Sequence, residues 1–508
     1  MNPRLIGGEM LLWSDLDGAH SPAPVGGKAL ARLLFAVSGR TLVVGPHAPS
    51  LIDTMPTDDV TVVVRGLADA EGLAARYADR PGVAVWCGSL EKVAAVPAFD
   101  TVVALDGLSR VGSAETADSS WEESLALLLS LLGRQGRLLL GMENLVGVHR
   151  LVALAPEPTD ADWTSGDEYD LTRPTGAARL RHRLQQAGLD VVGDYAAYPR
   201  PTAPTALLSD DVLADRQLGG FLEATLARAV TTAGPMLSDP NLMAVRAVRH
   251  GIAAELAPGC VVVAERAPTG RAPALPEAIV ATDGVVYQIR RDAARRWTRS
   301  ADDTDHPETL PLGPTLEHEL LGASSRQDLP RLRALLGSWQ GGEAAGVPAD
   351  QVIVDDDEQL HALARAGEPA AALHGLAAAF IDQGFAHLWP APADTIELTG
   401  LLAAMAGKEF DSGILPATAW AERPPADGVR ELTMARDRLL RELTEARAKQ
   451  QWYEEMLTTR DAALKRANRL NAALSATVPG RAATTVIATL RGGRRLLRGA
   501  ARRALPRR

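Results

Sequence analysis

The fold is decided by two short apolar runs, TLVVGPH at residues 41–47 and VTVVV at residues 60–64. Runs of β-branched residues bounded by Gly or Pro are typical of buried parallel strands. The helix-length gap between the two runs predicts a strand–helix–strand unit. In sheets built from such units, ligands bind at the carboxyl ends of the strands, beside the first turn. We therefore expect residues 45–50 to form the floor of any small-molecule site.

The alternation of strands and helices continues to residue 210. It predicts an α/β protein with a Rossmann-like, doubly wound sheet. Further strands are expected at residues 83–87, 99–106, 136–144, 190–195 and 205–208. Helices are expected at residues 22–35, 69–79, 121–132 and 177–187.

The composition is that of a soluble globular protein of several domains, with 508 residues, 46% hydrophobic and 23% charged. The net charge is −10, but residues 481–508 contain nine Arg and no Lys, Asp or Glu, so the rest of the chain carries −19. Such an acidic body argues against nucleic acid as a partner. Because no apolar run reaches transmembrane length and no leader pattern occurs, we expect a cytoplasmic protein.

Residues 429–474 carry apolar side chains at alternating intervals of three and four, which predicts a coiled coil. Polar residues take some of the core positions and would fix the register; they are Arg436, Gln450, Arg460 and Asn471. We expect a homodimer through this segment. The alternative is a single long helix packed on its own body.

A basic tail follows the break at Pro479 and Gly480. Residues 481–508 begin as an amphipathic, Arg-rich stretch. Such a stretch suits an anionic membrane surface, where each Arg contributes about 1 kcal/mol. The expected location is therefore the cytoplasm, with peripheral contact at the inner membrane face; the alternative is a solvated tail without a partner.

Three sequence segments resemble the class I S-adenosylmethionine-dependent methyltransferases. They are FDTVVALD at residues 99–106, GRLLLGMEN at 136–144 and ENLVGV at 143–148. The last is similar to a bacterial subgroup with large C-terminal extensions, associated with surface-polysaccharide biosynthesis. The resemblance covers residues 25–210. It implies S-adenosylmethionine as cofactor, and O- or N-methylation of a cytoplasmic glycan or a related small-molecule acceptor.

The second half of the chain is predicted to form an accessory domain. Strands are expected at residues 260–264, 278–281 and 285–290, with Asp283 and Gly284 forming a hairpin turn, and helices dominate up to residue 407. This order faintly resembles the degraded kinase-like domain of the same subgroup, but the motifs of phosphoryl transfer are missing. The expected division is 1–210 methyltransferase-like, 211–423 accessory, 424–478 coiled coil and 479–508 basic tail.

The resemblance implies a set of cofactor-binding positions. Gly45 stands where the family has the first Gly of its turn, and His47 lies in the remainder of that turn. Arg65 ends the second strand, where the family has an acid for the ribose, and Ser89 follows the third strand, where an acid meets the adenine. Asp69 is a further hydrogen-bonding group near the second strand. These departures from the family pattern favour the alternative function given below.

Four residues at the carboxyl ends of later strands are the candidates for the reaction itself. Asp106 and His149 are the candidate bases, and Glu143 and Asn144 are candidates for binding the acceptor. Asp106 has the alternative role of capping a turn before Gly107. The alternative for Glu143 and Asn144 is to satisfy the loop backbone, and the alternative for His149 is an ordinary surface or half-buried histidine. The histidines and cysteines are scattered without metal-ligand spacing, so no metal is expected.

Two functions follow from this sequence. The first is methyl transfer, which needs the acceptor, methyl carbon and sulfur aligned and sometimes a proton removed. The alternative is a catalytically inactive, methyltransferase-like scaffold that assembles partners through its coiled coil. A nicotinamide-dependent enzyme is weaker, because no full Gly-x-Gly-x-x-Gly follows the first strand.

Overall fold

In the computed structural model, the described residues are 2–18, 22–93, 98–113, 115–116, 119–154, 170–229, 236–266, 274–302, 306–385, 388, 395–410 and 429–476. The Arg-rich tail at 481–508 lies outside them, so the membrane contact predicted for it stays a prediction. Among the described residues, no helix combines the length and the apolar character needed to cross a membrane.

The described strands build one large sheet and one small hairpin. In chain order they are β1 Arg4–Gly7, β2 Thr41–Val44, β3 Val60–Val64, β4 Val83–Gly88, β5 Phe99–Ala104, β6 Leu132–Glu143, β7 Asp190–Tyr198, β8 Ala206–Ser209, β9 Gly259–Glu265, β10 Ala278–Thr282, β11 Val285–Arg291, β12 Trp297–Ala301, β13 Glu308–Thr309, β14 Val352–Val354 and β15 Leu360–Ala362.

The large sheet has the order β1-β4-β3-β2-β5-β6-β9-β7-β8-β10-β11-β12-β13. All neighbours from β1 to β6 are parallel, and β2 pairs with β3 in the register Thr41↔Val60. The predicted strand–helix–strand unit and the α/β doubly wound fold are therefore confirmed. The chain runs outward from β2 in one direction through β3 and β4, then returns to the other side of β2 for β5 and β6.

The strand β9 lies where the sequence did not place it. We expected residues 260–264 to pair with the two strands that follow them, but β9 is inserted antiparallel between β6 and β7. Its side chains are buried along the whole length, which is the environment that the run CVVVA requires. The sheet therefore continues across residue 210, the predicted boundary between the first two domains.

Some helices pack on the sheet, and others, later in the chain, enclose a core of their own. In chain order they are α1 Lys28–Leu33, α2 Pro49–Asp53, α3 Leu67–Arg76, α4 Trp121–Ser130, α5 Val148–Leu151, α6 Ala177–Gln186, α7 Asp210–Ala214, α8 Gly219–Leu226, α9 Pro240–His250, α10 Leu316–Ser325, α11 Leu329–Gly341, α12 Pro369–Asp382, α13 Thr395–Met405 and α14 Val429–Ala476.

The pleat of the strands divides the core into two faces. Val43 of β2 packs on one face with α1, α2 and α3, while Leu42 packs on the other with α4 and α6. Helices α10 to α13 and the β14–β15 hairpin enclose a separate core around Trp339 and Phe380. The chain divides into two units between Leu432 and Thr433. Helix α14 is continuous from Val429 to Ala476, and its pairing as a coiled coil stays a prediction.

Candidate functional site

The order of the strands reverses between β2 and β5, which places the candidate site. A crevice opens outside the carboxyl ends of the strands at such a reversal, and ligands of doubly wound proteins bind there. Gly45 follows β2 directly and has φ of 86°, a left-handed conformation that favours Gly. A Cβ built on Gly45 would lie 3.8 Å from Cβ of Asp106, so the ends of β2 and β5 face each other closely.

His47 joins these two strand ends. Its Nε2 accepts a hydrogen bond of 3.2 Å from the backbone N–H of Leu105, so its Nδ1 carries the proton and donates to the carbonyl of Gly45 at 3.1 Å. The side chain is 1% exposed. Burial lowers the pKa of His47 to about 4, and the nearby Arg110 acts in the same direction. His47 is therefore a neutral internal link, and both of its ring nitrogens are used.

Arg65, at the end of β3, pairs with an acid from the N-terminal segment, residues 8–18. Its Nε and Nη2 donate to the two carboxylate oxygens of Asp15 at 2.7 and 3.0 Å, and its Nη1 donates to the carbonyl of Gly112 at 3.1 Å. Burial acts to raise the pKa of Asp15, but the hydrogen bonds from Arg65 and Trp13 outweigh it and lower the pKa. A two-point arginine–carboxylate pair of this kind fixes both partners.

The N-terminal segment is held across the end of β3 by further bonds. The carboxylate of Asp69 accepts from the hydroxyl of Ser14 and from the backbone N–H of Asp15, the latter at 2.7 Å. The backbone of Met10 bonds to Arg65 and to Leu67 on either side of the turn. Burial raises the pKa of Asp69, against these hydrogen bonds. The segment thus engages Arg65 and Asp69, the polar side chains that the family resemblance placed near the ribose of a cofactor.

Ser89 follows β4 and is covered by β1, the first strand of the chain. Its backbone N–H donates to the carbonyl of Gly7 at 3.0 Å, and the residue is 1% exposed. The preceding Gly88 has φ of 144°, and a Cβ on it would lie 2.4 Å from the same carbonyl. Only Gly permits this approach of β1 to the end of β4.

Asp106 forms a buried ion pair with Arg110, four residues later, across a stretch of turns that is not part of a helix. Its Oδ2 accepts from Nε at 2.8 Å and its Oδ1 accepts from Nη2. Nη1 of Arg110 donates in turn to the carbonyl of Pro22 at 2.6 Å. Burial raises the pKa of Asp106 to about 6, while Arg110 opposes the rise and the charge of Asp15 adds to it. We call Asp15, His47, Arg65, Asp106 and Arg110 the crevice cluster.

A second group of charges lies at the end of β6. The carboxylate of Glu143 accepts from Nε2 of His149 at 2.8 Å and from Arg150 at 2.8 and 3.1 Å. Burial acts to raise the pKa of Glu143, but the bonds from His149 and Arg150 outweigh it and hold the pKa at about 2. We call these three residues the β6 cluster. Asn144 beside them bonds through its amide nitrogen to the carbonyls of residues 255 and 257, so it ties the loop to β9.

In the β6 cluster, His149 uses one of its two ring nitrogens for a hydrogen bond. In the neutral form of the ring, donation from Nε2 to Glu143 leaves Nδ1 unprotonated. Nδ1 is buried and has no hydrogen-bond partner among the described residues. A histidine oriented by a carboxylate, with the other nitrogen unprotonated, has the arrangement of a general base. In this structure Nδ1 is enclosed, so it would have to be uncovered before it could meet an acceptor.

The fold brings together most of the residues predicted from the sequence. Gly45, His47 and Asp106 meet at the crevice, and Glu143 meets His149 at β6, whereas Ser89 lies beneath β1. Their predicted roles in binding and catalysis stay predictions. Sequence reasoning missed Asp15 and Arg110. Residues 105–112 form turns and not a helix, so the four-residue spacing of Asp106 and Arg110 was not a helical signal for their ion pair.

The crevice fits an adenosyl cofactor in one part. That part is the turn at Gly45, which has no side chain, although Gly45 is buried beside Asp106 in this structure. Arg65, Asp69 and Ser89 are engaged by the N-terminal segment and β1 as the structure stands. Within the described ranges, no cluster of three or more His, Cys, Asp or Glu side chains is placed to bind a metal ion.

Comparison with known proteins gives weak structural similarity only. No protein-family model matches, and no curated protein does. The chain is similar to a possible histamine N-methyltransferase of Thermotoga maritima, with 12% identity, a TM-score of 0.26 and coverage of 47% of this chain and 88% of the other. It is also similar to an S-adenosylmethionine-dependent methyltransferase of Mesorhizobium loti, with 13% identity, a TM-score of 0.26 and coverage of 46% and 95%.

A third similar structure is a methyltransferase of Geobacter sulfurreducens in complex with S-adenosylhomocysteine, with 13% identity, a TM-score of 0.25 and coverage of 48% and 90%. All three neighbours are S-adenosylmethionine-dependent methyltransferases. At these identities and TM-scores they do not carry an assignment of activity to this chain. The fold class rests on its own strand order.

Proposed function

We propose that this chain is an S-adenosylmethionine-dependent methyltransferase. The observation that carries the proposal is the left-handed Gly45 turn at the reversal of strand order, where a doubly wound sheet holds its ligand. The resemblance of the segments at β5 and β6 to this family supports the same reading. The proposed acceptor is a cytoplasmic glycan or a related small molecule, methylated on oxygen or nitrogen.

The chain's own residues have limited tasks in such a reaction. The cofactor, when bound, supplies a methyl group already activated by its positive sulfur. Gly45 lets the backbone approach it, and the walls of the crevice orient the acceptor. Between the two predicted bases, the geometry favours His149, because both oxygens of Asp106 accept from Arg110. Glu143 holds His149 in the tautomer that accepts a proton on Nδ1.

The N-terminal segment opposes cofactor binding in this proposal. Arg65 and Asp69 are bonded to residues 14 and 15, and a ribose at the end of β3 would need the segment to release them. Replacement of the Asp15 carboxylate by an amide removes its charge and one of the two oxygens that accept from Arg65. We therefore expect the N-terminal segment to be held less firmly across the end of β3, and the cofactor to bind more tightly, in the variant Asp15→Asn.

Calorimetric titration with S-adenosylmethionine tests the proposal. We expect saturable binding by the wild type, and binding about tenfold tighter by Asp15→Asn, which corresponds to about 1.4 kcal/mol. Asp292→Asn is the matched control, because Asp292 pairs with Arg296 on an exposed turn, and it leaves the affinity unchanged. Absence of heat from both the wild type and Asp15→Asn would contradict the enzyme function.

A catalytically inactive scaffold is the second candidate. It is favoured by the engagement of every predicted cofactor-side polar group with another part of the chain, from His47 to Ser89. In that case the crevice cluster serves stability alone, and assembly depends on α14. The titration above separates the two functions.

Contact of the tail with a membrane is proposed from the sequence pattern alone. Nine Arg in residues 481–508 favour anionic lipid. The full chain is expected to sediment with vesicles containing phosphatidylglycerol, and a chain ending at residue 480 is expected to stay in the supernatant. Equal sedimentation of both would dismiss the contact.

A further inference from the structure

The long helix α14 presents large apolar side chains to solvent. Val429–Ala476 has 48 residues in one uninterrupted helix, about 70 Å long at the usual rise per residue. Its large exposed apolar side chains lie between residues 439 and 470. Five form a stripe, Leu439 59% exposed, Leu443 47%, Tyr453 61%, Leu457 61% and Leu464 58%, and four more lie beside it, Leu440, Trp452, Met456 and Leu470. An apolar stripe of this kind on a solvated helix marks a surface for another protein.

The stripe has the spacing of a coiled-coil seam. With Leu443, Leu457 and Leu464 at position a of the heptad, Leu439 and Tyr453 fall at position d. A two-stranded seam packs these positions against the same positions of a second helix. The repeat therefore favours a second copy of the same helix as the partner.

The charges beside the seam select the orientation. In a parallel dimer, each g position faces the e position five residues later on the other helix. Glu442 at g then faces Arg447 of the second copy, and Lys449 at g faces Glu454. Both pairs are opposite in charge, and each occurs twice by symmetry. Arg447, Lys449 and Glu454 are exposed, and Glu442 is partly buried.

The polar residues within the seam select the register. In-register pairing places Gln450 opposite Gln450 and Asn471 opposite Asn471, where amides can bond to each other. The amide nitrogen of Gln450 already donates to Glu454 of its own helix at 3.1 Å. A shift by one heptad would place Gln450 against Leu443 or Leu457, so the amide would lose the second amide opposite it. The seam positions Arg436 and Arg460 are tolerated in two strands, since a long side chain can carry its charge out to solvent.

We propose that α14 pairs with α14 of a second copy of this chain, as a parallel, in-register, two-stranded coiled coil. The pairing does not depend on the proposed methyl transfer. It makes the chain a homodimer.

Charge reversal on the full-length chain tests the pairing. The variant E442K/K449E makes the two charged g positions repel the native e positions Arg447 and Glu454. The variant R447E/E454K makes these two e positions repel the native g positions. By sedimentation equilibrium, each variant alone is expected to dimerise roughly 10- to 100-fold more weakly than the wild type. An equimolar mixture of the two restores all four attractive contacts and is expected to regain wild-type affinity.

Controls separate pairing from folding and fix the direction. Circular dichroism, at concentrations where the wild type is dimeric, reports whether the charge-reversal variants retain their helix content. The variant L443D/L457D, which places charges in the seam, is expected to be monomeric. Under mild oxidation, Asn471→Cys gives a disulfide-linked dimer if the helices are parallel and in register, whereas the native thiols are buried and do not. A monomeric wild type, a trimer, reversal variants that do not recover on mixing, or no cross-link at 471 would overturn the proposal.

Discussion

The crevice cluster and the β6 cluster are both built from carboxylates, arginines and one histidine, but they differ in burial. In the crevice, the side chains of Asp106 and Arg110 are 3% and 9% exposed and bond to each other at two points. In the β6 cluster, the side chains of Glu143 and Arg150 are 33% and 36% exposed. The same types of residue therefore work in two different dielectric environments.

This difference decides what each cluster can do. A buried ion pair is costly to break, because the partner left behind is a charge without water. In a half-exposed pair, water can solvate each charge when the contact breaks, so breaking it costs little free energy. We infer that the crevice cluster holds the strand ends and the N-terminal segment in place, while the β6 cluster keeps side chains that can change partners during binding or proton transfer.

The largest effect is expected from breaking the pair at Asp106. The variant Arg110→Met keeps the length of the side chain but leaves Asp106 buried without its partner, which should reduce the free energy of unfolding by about 3–5 kcal/mol. Urea unfolding followed by circular dichroism measures it. The matched control is Arg296→Met on the exposed pair with Asp292, where a loss below about 1 kcal/mol is expected. Equal losses in the two variants would contradict the distinction by burial.

A smaller effect is expected from the titration of His47. Its pKa is about 4 in the folded chain and near 6.5 when unfolded, so the unfolded state binds the proton more strongly between these values. The stability that His47 contributes is therefore complete above pH 6.5 and is lost as the pH falls toward 4, by about 3 kcal/mol in total. In His47→Gln, the side chain still offers an acceptor to Leu105 but does not titrate.

The measurement compares urea unfolding of the wild type and His47→Gln at pH 7 and pH 4.5. The other acids titrate in both proteins, so the difference between the two pH dependences isolates His47. We expect the wild type to lose more stability than the variant over this range. An identical pH dependence would show that His47 is not buried as a neutral link.

Much of the fold was predictable from local pattern. The buried runs TLVV and VTVVV became neighbouring parallel strands because their side chains are apolar on both faces, as only a covered parallel strand allows. The position of β9 was not predictable in this way. A run such as CVVVA fits any central place in a sheet, and the contact with β6 joins residues more than a hundred positions apart.

The site was predictable in part for the same reason. Gly45, His47 and Asp106 follow strands, so the topology alone brings them to one edge. The pairing of Arg65 with Asp15 depends on a segment that crosses the edge from outside the strand–helix alternation. The sequence showed that Arg65 replaced an acid at the end of a buried strand, and such a charge needs a counter-charge, but it did not show which acid supplies it.

The smallest effect is expected from Glu143→Gln in the β6 cluster. The pKa of Glu143 is about 2 in the folded chain, below its usual value, so its contribution to stability is present above pH 4.5 and is lost as the pH falls toward 2. Because the cluster is about one-third exposed, solvent screening should limit that contribution to less than about 1 kcal/mol at pH 7. Urea unfolding of the wild type and the variant at pH 7 and pH 3 measures this contribution. The control is Glu308→Gln, on the exposed pair with Arg299.

A loss of unfolding free energy above about 2 kcal/mol at pH 7 would place Glu143 with the structural charges of the crevice. It would also leave His149 without the freedom to change partners that the proposed proton transfer requires.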